Sequence, residues 1–336
     1  MPYEDTALPL SYAGFAPHSY SEVGRALHFT KIPTKRQRSY GVYYETMKNW
    51  RSLCLLALLL FFVGVQSAFS REGFQKRQHA VAWGIFGFPQ KRIVSIPTPT
   101  PPPDPVRVPI LMYHYVEVPT DPKDTLRRSL DVFPSTFESQ LSTLLSHGYT
   151  PIFMKDLASH FEGKQQLPAK PIILTFDDGY RDFYTDAYPI LQKYHVKATN
   201  YVISGFLGYP NYMTKDQVQA ISSSGLVEVA AHTVHHVYLK GQKPDVIERE
   251  MVESKVALEQ LINTSVINFA YPYGALDENA VQLASRSGFS TAVSTKPGIE
   301  QSRNERFILP RLRPGGRTGD TLIAWLESTN HKQDMW

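Results

Sequence analysis

Cysteine is all but missing from this chain. Cys54 is the only one among 336 residues, and it lies inside an apolar run. A disulfide framework is excluded, and so is any metal site built on thiolates; the redox compartment is left open. A strong charge of one sign is missing too. The formal net charge is +4, but residues 1–66 hold seven Lys/Arg against four Asp/Glu and so carry +3 of it. Residues 67–336 are left at +1, without the basic footprint of a nucleic-acid surface, so no nucleic-acid partner is expected. No internal repeat is evident, and the longest apolar run falls short of the roughly 20 residues of a full membrane span. What is present is an ordinary globular composition, 42% hydrophobic and 20% charged, with room for one sizeable core.

The apolar run is Leu53 to Val65, with Lys48 and Arg51 before it and Gln66-Ser67-Ala68 after it. A positive flank, a short apolar centre and small residues afterwards match a secretory signal. Extension to Phe69 makes an uncleaved anchor the alternative, and a buried helix is the third reading. Either of the first two implies export, to the cell envelope or beyond, with the membrane as a partner if the anchor stays. Met47 stands directly before this segment, so residues 1–46 read as a leader ahead of the true start; the alternative is a cytoplasmic tail on a type II anchor. Residues 70–105 read as a linker ending in Pro-Thr-Pro-Thr-Pro-Pro-Pro-Asp-Pro, a semi-rigid polyproline spacer. The globular domain is expected over 106–328, with a tail at 329–336.

Within 106–328 strand-like and helix-like segments alternate. Val108–Val116, Tyr149–Phe153, Lys170–Phe176, Ala198–Ile203, Leu226–Ala231, Ile267–Ala270, Phe289–Val293 and Phe307–Leu312 read as strands. Pro134–His147, Asp182–Tyr194, a helix opened by the capping box Thr214-Lys215-Asp216-Gln217, Pro244–Ile262, Asp277–Ser287 and Asp320–Ser328 read as helices. Repeated strand–helix units with short connections imply parallel strands. The expected fold class is α/β, a distorted, incomplete (β/α)7 barrel.

Three strand ends carry chemistry. The apolar run Pro171–Leu174 leads through Thr175-Phe176 to Asp177-Asp178-Gly179. Charge at the end of a core strand is costly unless it is used, and in barrels that end is where active sites sit. A turn at Gly179 brings both carboxylates into one site; the simpler reading is a capped turn. After the strand Leu226–Ala231 comes His232-Thr233-Val234-His235-His236. Imidazoles four apart share a face on a helical turn, so His232 and His236 can bind one metal ion. Two imidazoles and one carboxylate leave a position for water, as in a catalytic site. The third end, Tyr271-Pro272-Tyr273-Gly274, is a rigid turn that can present a backbone N–H to a developing oxyanion.

Together these segments resemble the polysaccharide deacetylase family, carbohydrate esterase family 4, also called the NodB homology domain. Thr175-Phe176-Asp177-Asp178-Gly179 is similar to its first motif, His232–His236 to its second, and Tyr271–Gly274 to the core of its third. The resemblance implies removal of N-acetyl groups from an N-acetylated polysaccharide. It implies Asp177 as catalytic base, Asp178, His232 and His236 as metal ligands, and the backbone N–H of Tyr273 at the oxyanion. The expected ion is Zn²⁺, with Co, Ni and Fe also suited to such ligands. Sugar-stacking candidates are Tyr180, Tyr209, Tyr212 and Tyr271.

Two departures matter. The family's third motif begins with an arginine that orients the base; here that position is Ala270, so another arginine takes over, Arg311 in preference to Arg313, or Asp177 is less constrained. The family's last motif supplies a histidine as general acid, and Leu322–Leu326 holds none; His331 lies too near the terminus. The first strand instead ends in His114, next to the last strand in a barrel. This resembles the permuted-motif branch, which includes the poly-N-acetylglucosamine deacetylases, and it makes His114 the expected acid. Glycoside hydrolases also use two carboxylates, but these lie about 5–9.5 Å apart across a sugar ring; adjacent aspartates with a histidine pair fit a metal better. An amidase acting on a non-sugar substrate and a non-catalytic carbohydrate-binding relic are the remaining alternatives.

Overall fold

The computed structural model describes residues 104–328. The leader, Met47, the signal or anchor at 47–69, most of the linker and the tail with His331 lie outside the described residues. Among the described residues no helix is long and apolar enough to cross a membrane.

The strands are β1 (Val106–Arg107), β2 (Ile110–Tyr113), β3 (Thr150–Ile152), β4 (Pro171–Phe176), β5 (Ala198–Val202), β6 (Val227–Ala231), β7 (Asn268–Ala270), β8 (Thr291–Val293) and β9 (Glu300–Gln301). Their helices are α1 (Thr125–Leu130), α2 (Pro134–Ser146), α3 (Met154–Phe161), α4 (Tyr188–Tyr194), α5 (Lys215–Ser223), α6 (Pro244–Ile262), α7 (Glu278–Arg286) and α8 (Gly319–Glu327). The main sheet runs β2-β4-β5-β6-β7-β8, with β3 also on β4. Every pair in it is parallel. β2 lies along the end of β4 and β3 along its start. β1 and β9 form a separate antiparallel pair.

The sheet curls until residues 309–312 lie between its two edges. Ser294 N–H donates to the Leu309 carbonyl (2.9 Å), Leu312 N–H to Ile110 (2.8 Å) and Met112 N–H to Leu312 (2.8 Å). This seventh stave was expected as the strand Phe307–Leu312. It makes only two isolated parallel bridges, Val293–Leu309 and Leu111–Leu312. Pro310 sits in its middle with no N–H for a ladder, so the (β/α)7 barrel is distorted and incompletely closed.

Strand alternation sorts the core into two layers. Ile110, Ile173, Tyr201, Ala230, Ala270, Val293 and Leu309 point into the barrel, with Leu157 and Phe161 of α3 against them. Leu111, Leu174, Val202, Ala231, Phe269, Ala292 and Leu312 pack beneath the helices. Each fully buried aliphatic or aromatic side chain stabilises by about 1.5–3 kcal/mol. A core of this size offsets the several kcal/mol each buried ion costs, which the site below requires.

Local chemistry explains the helix ends. Thr214 Oγ1 accepts from Gln217 N–H (3.2 Å) while Gln217 Oε1 accepts from Thr214 N–H (2.8 Å), the expected capping box. Asp277 caps α7 by accepting from Ala280 N–H at 2.9 Å. The segment 182–194 is helical as expected, without a break in the helical backbone. A wide π turn over Phe183–Ala187 runs directly into α4, and this widening of the helix sits just before Pro189, which has no N–H to give.

Candidate active site

The interior parity that places Ile173 and Leu309 in the core carries four residues further to Asp177 and two further to Arg311. Arg311, 1% exposed, grips Asp177 with both guanidinium arms, each at 2.7 Å. Thr175 Oγ1 accepts from the same arginine (3.1 Å) and donates to the Leu111 carbonyl (2.7 Å). Arg311 Nε donates to the Ser294 carbonyl at 2.9 Å. Burial pushes the Asp177 carboxyl up, but the charge and hydrogen bonds of Arg311 outweigh it and hold it below the usual range. Of the two arginines considered for this contact, Arg311 makes it. Ala270, the position at which the resemblance called for an arginine, is fully buried in the barrel interior.

Asp178 and Gly179 both have φ of 74°, so the chain turns sharply after Asp177. A Cβ on Gly179 would lie 3.2 Å from Val202 Cγ1, so glycine serves both the turn and the close approach. The turn sends the neighbouring carboxylates to different partners. Asp178 Oδ1 lies 3.2 Å from Nε2 of both His232 and His236.

The histidines are not on a helical turn, contrary to the i,i+4 expectation. Thr233 (φ 63°) and His236 (φ 53°) both lie in the left-handed region, and a loop folds back to make the rings converge. Buried Glu250 of α6 holds this loop: its Oε2 accepts from Val234 N–H and His235 N–H, both at 3.0 Å, and its Oε1 lies 2.8 Å from His235 Nδ1. Thr233 Oγ1 accepts from His236 N–H at 2.9 Å. From the other side Gly205 N–H donates to the Val234 carbonyl at 3.0 Å. A Cβ on Gly205 would meet that carbonyl oxygen at 2.4 Å, so only glycine fits.

The donor set fits a cation. His232 Nδ1 lies 2.8 Å from the Ala270 carbonyl oxygen, which can only accept. Nδ1 therefore carries the proton, and in the neutral ring the Nε2 lone pair faces Asp178 Oδ1. That oxygen is buried and receives no hydrogen bond of its own. Two acceptors facing each other call for a proton or a metal ion between them. Burial opposes charge on His232, but the contact with Asp178 and the charges of both aspartates overcome it and raise its pKa. Among the described residues, Asp178, His232 and His236 are the one group whose ligand atoms gather as a metal would need, all within 4.8 Å.

The other expected residues surround this centre. His114 Nε2 is 4.0 Å from Asp177 Oδ2. Burial pulls its pKa down, against the charges of Asp177 and Asp178. Tyr273 has φ 60° and lies in the turn after β7; its ring packs on His236 with centroids 4.5 Å apart. Tyr180 stacks on Tyr115 at 4.0 Å and leans on Tyr212 at 5.1 Å. Tyr209 is 57% exposed, whereas Tyr271 is 1% exposed, sealed against Phe269, and cannot stack on a sugar. Glu250, Thr175 and the Ala270 and Ser294 carbonyls were not expected. Only Glu250 left a sequence signal: it is a charge inside the apolar stripe Ile247, Met251, Leu258 of α6.

A curled parallel sheet with an arginine-held carboxylate beside an Asp–His–His cluster at its C-terminal mouth is an arrangement suited to metal-assisted hydrolysis. Comparison with known proteins narrows this. Residues 164–292 match the polysaccharide deacetylase family model. The chain is 30% identical to the putative polysaccharide deacetylase YxkH of Bacillus subtilis over 67% of this chain and 77% of that one. It is 25% identical to the poly-beta-1,6-N-acetyl-D-glucosamine N-deacetylase of Staphylococcus aureus strain COL over 62% and 75%. Among solved structures, the Streptococcus pyogenes deacetylase PplD, in complex with acetate, superposes with a TM-score of 0.63 at 34% identity, covering 67% of this chain and all of that one. The chain belongs to the polysaccharide deacetylase family.

Proposed function

We propose that this protein is a metal-dependent hydrolase that removes N-acetyl groups from N-acetylglucosamine-containing polysaccharide of the cell envelope or extracellular matrix. One observation carries the proposal: buried Asp178 Oδ1, without a hydrogen bond of its own, faces two imidazoles beside a second carboxylate that Arg311 keeps ionised. Asp178, His232 and His236 would hold the cation. Zn²⁺ is the ion proposed, with Co, Ni and Fe as alternatives; when bound it supplies Lewis acidity to the acetyl carbonyl and acidifies water.

Asp177 takes the proton of the attacking water, and Arg311 fixes both of its oxygens so that the accepting lone pair is aimed. The Tyr273 N–H steadies the oxyanion. His114 donates a proton to the departing amine. Acid and base are coupled: the Asp177 charge favours the charged form of His114, and when Asp177 gains a proton that support vanishes and His114 releases its own more readily. Tyr209, exposed at the rim, is placed to stack on a sugar ring. The similarity to the Staphylococcus aureus enzyme supports poly-N-acetylglucosamine as substrate class, and the reading of the apolar run within 47–69 as a signal or anchor is what points to action beyond the membrane.

The test uses the full chain with partly acetylated glucosamine oligomers. Acetate release that stops with chelator and returns with Zn²⁺ is the expected result. Shortened oligomers with no acetate released would sink the proposal in favour of a glycosidase.

A further inference from the structure

The reaction above uses only the backbone N–H of Tyr273, yet the side chain of that residue touches the metal centre. The two imidazoles that face Asp178 are held in different ways. Behind His232 stands a carbonyl, which fixes the proton on Nδ1. Behind His236 stands the Tyr273 hydroxyl, 3.1 Å from Nδ1, and a hydroxyl can either accept or donate. The backbone adds a second observation. Tyr273, at φ 60° and ψ 5°, occupies the left-handed region, which strains a bulky residue and glycine almost not at all. A tyrosine here carries that strain in the fold; what it brings that glycine lacks is the ring and hydroxyl on His236.

We propose that the Tyr273 hydroxyl is a positioning group for His236. Accepting a hydrogen bond from Nδ1–H, it holds the imidazole in the tautomer whose Nε2 lone pair faces Asp178 Oδ1 and is free for a cation. Without a cation the hydroxyl rotates and donates to Nδ1, and Nε2–H then bonds to Asp178. His232 has no such freedom against the Ala270 carbonyl. One ligand is therefore preset and the other adapts, so the centre tolerates both states without rebuilding its loop. The inference rests on the metal site of the preceding reading and adds a residue to it.

The test reads metal binding rather than turnover. The full-length protein, stripped of metal, is titrated with Zn²⁺ against a chromophoric chelator and with Co²⁺ by its visible absorption. Tyr273→Phe keeps the ring and the backbone N–H and loses only the hydroxyl; Tyr273→Gly also relaxes the backbone. Both variants are expected to bind Zn²⁺ about 10–100-fold more weakly than wild type, the usual effect of removing an outer partner of a ligating histidine. Their Co²⁺ bands should shift, and the metal-free Tm of Tyr273→Phe should equal that of wild type. Wild-type affinity and spectrum in Tyr273→Phe would overturn the proposal and leave the metal site standing. So would a drop in its metal-free Tm large enough to account for the weaker binding. A wild-type protein that binds neither ion overturns the metal site, and the proposal with it.

Discussion

Asp177 is a buried carboxylate whose charge depends on one neighbour. Arg311 reaches it from the last stave, whereas the family pattern would bring an arginine from the position of Ala270 on β7. Because Ala270 and Arg311 both point into the barrel, the guanidinium can come from either stave and serve the same carboxylate. This gives a paired expectation. Arg311→Ala leaves a buried carboxylate unpartnered, which costs about 3–5 kcal/mol of stability and, by misplacing the base, on the order of 100-fold in kcat. Arg311→Lys loses the fork geometry and most of that kcat as well. Adding Ala270→Arg to Arg311→Ala should recover part of both losses, read as acetate release and Tm. A double variant no better than Arg311→Ala would show that the two staves are not interchangeable. Sequence narrowed the choice to Arg311 or Arg313 with Arg311 preferred; both share strand parity with Leu309, and it is Arg311, buried one step beyond Leu309, that meets Asp177. Spacing alone could not settle it, because two residues on one face of a strand differ only in depth, which the curl of the sheet fixes.

At the scale of elements, legibility followed local chemistry. The helix Pro244–Ile262 has the expected bounds because its proline start and apolar stripe are local signals, and Thr214 and Asp277 mark starts by their own side chains. The helix α3 was missed. It follows β3 at once, and its first N–H groups bond to distant residues: Met154 N–H to Thr199 Oγ1 (3.2 Å) and Lys155 N–H to Glu228 Oε2 (3.1 Å). The histidine loop was misread for a related reason, since spacing alone does not separate a helical turn from a loop held by Glu250. Glu228 is the cap of α3 and the centre of a polar floor in the barrel, accepting also from Thr199 Oγ1 (3.0 Å) and Asn268 Nδ2 (2.5 Å). Burial raises its pKa above the ordinary 4.5 despite these bonds. A raised carboxyl pKa means that the fold favours the protonated form. The stability it confers is therefore full below 4.5 and is lost as pH climbs through the folded value. Glu228→Gln mimics the protonated form, so its Tm should gain on wild type as pH rises from 4.5. Parallel Tm–pH curves for the two proteins would show that Glu228 does not titrate across that window.

At the scale of the whole molecule, ring closure makes the site. Asp177 and Asp178 follow β4, His232 follows β6, Tyr273 follows β7 and Arg311 ends the seventh stave. His114 lies on the continuation of β2, the first stave, which the seventh reaches through Leu111–Leu312. A chain that ran its staves in the same order without curling would leave His114 at one edge of the sheet and Arg311 at the other. Curling instead puts both beside Asp177, at 4.0 Å and 2.7 Å. In a ring the first and last staves are neighbours, so the proposed role of His114 asks only for a histidine beside Asp177, from whichever of the two staves it comes. His114 touches Asp177 rather than the Asp178–His232–His236 cluster, so its loss should separate proton transfer from metal binding. His114→Asn is expected to lower kcat by about 100-fold or more, the usual contribution of a general acid, while Zn²⁺ affinity stays at the wild-type value. Near-wild-type turnover in His114→Asn would remove it from the reaction and return the source of the amine's proton to Asp177.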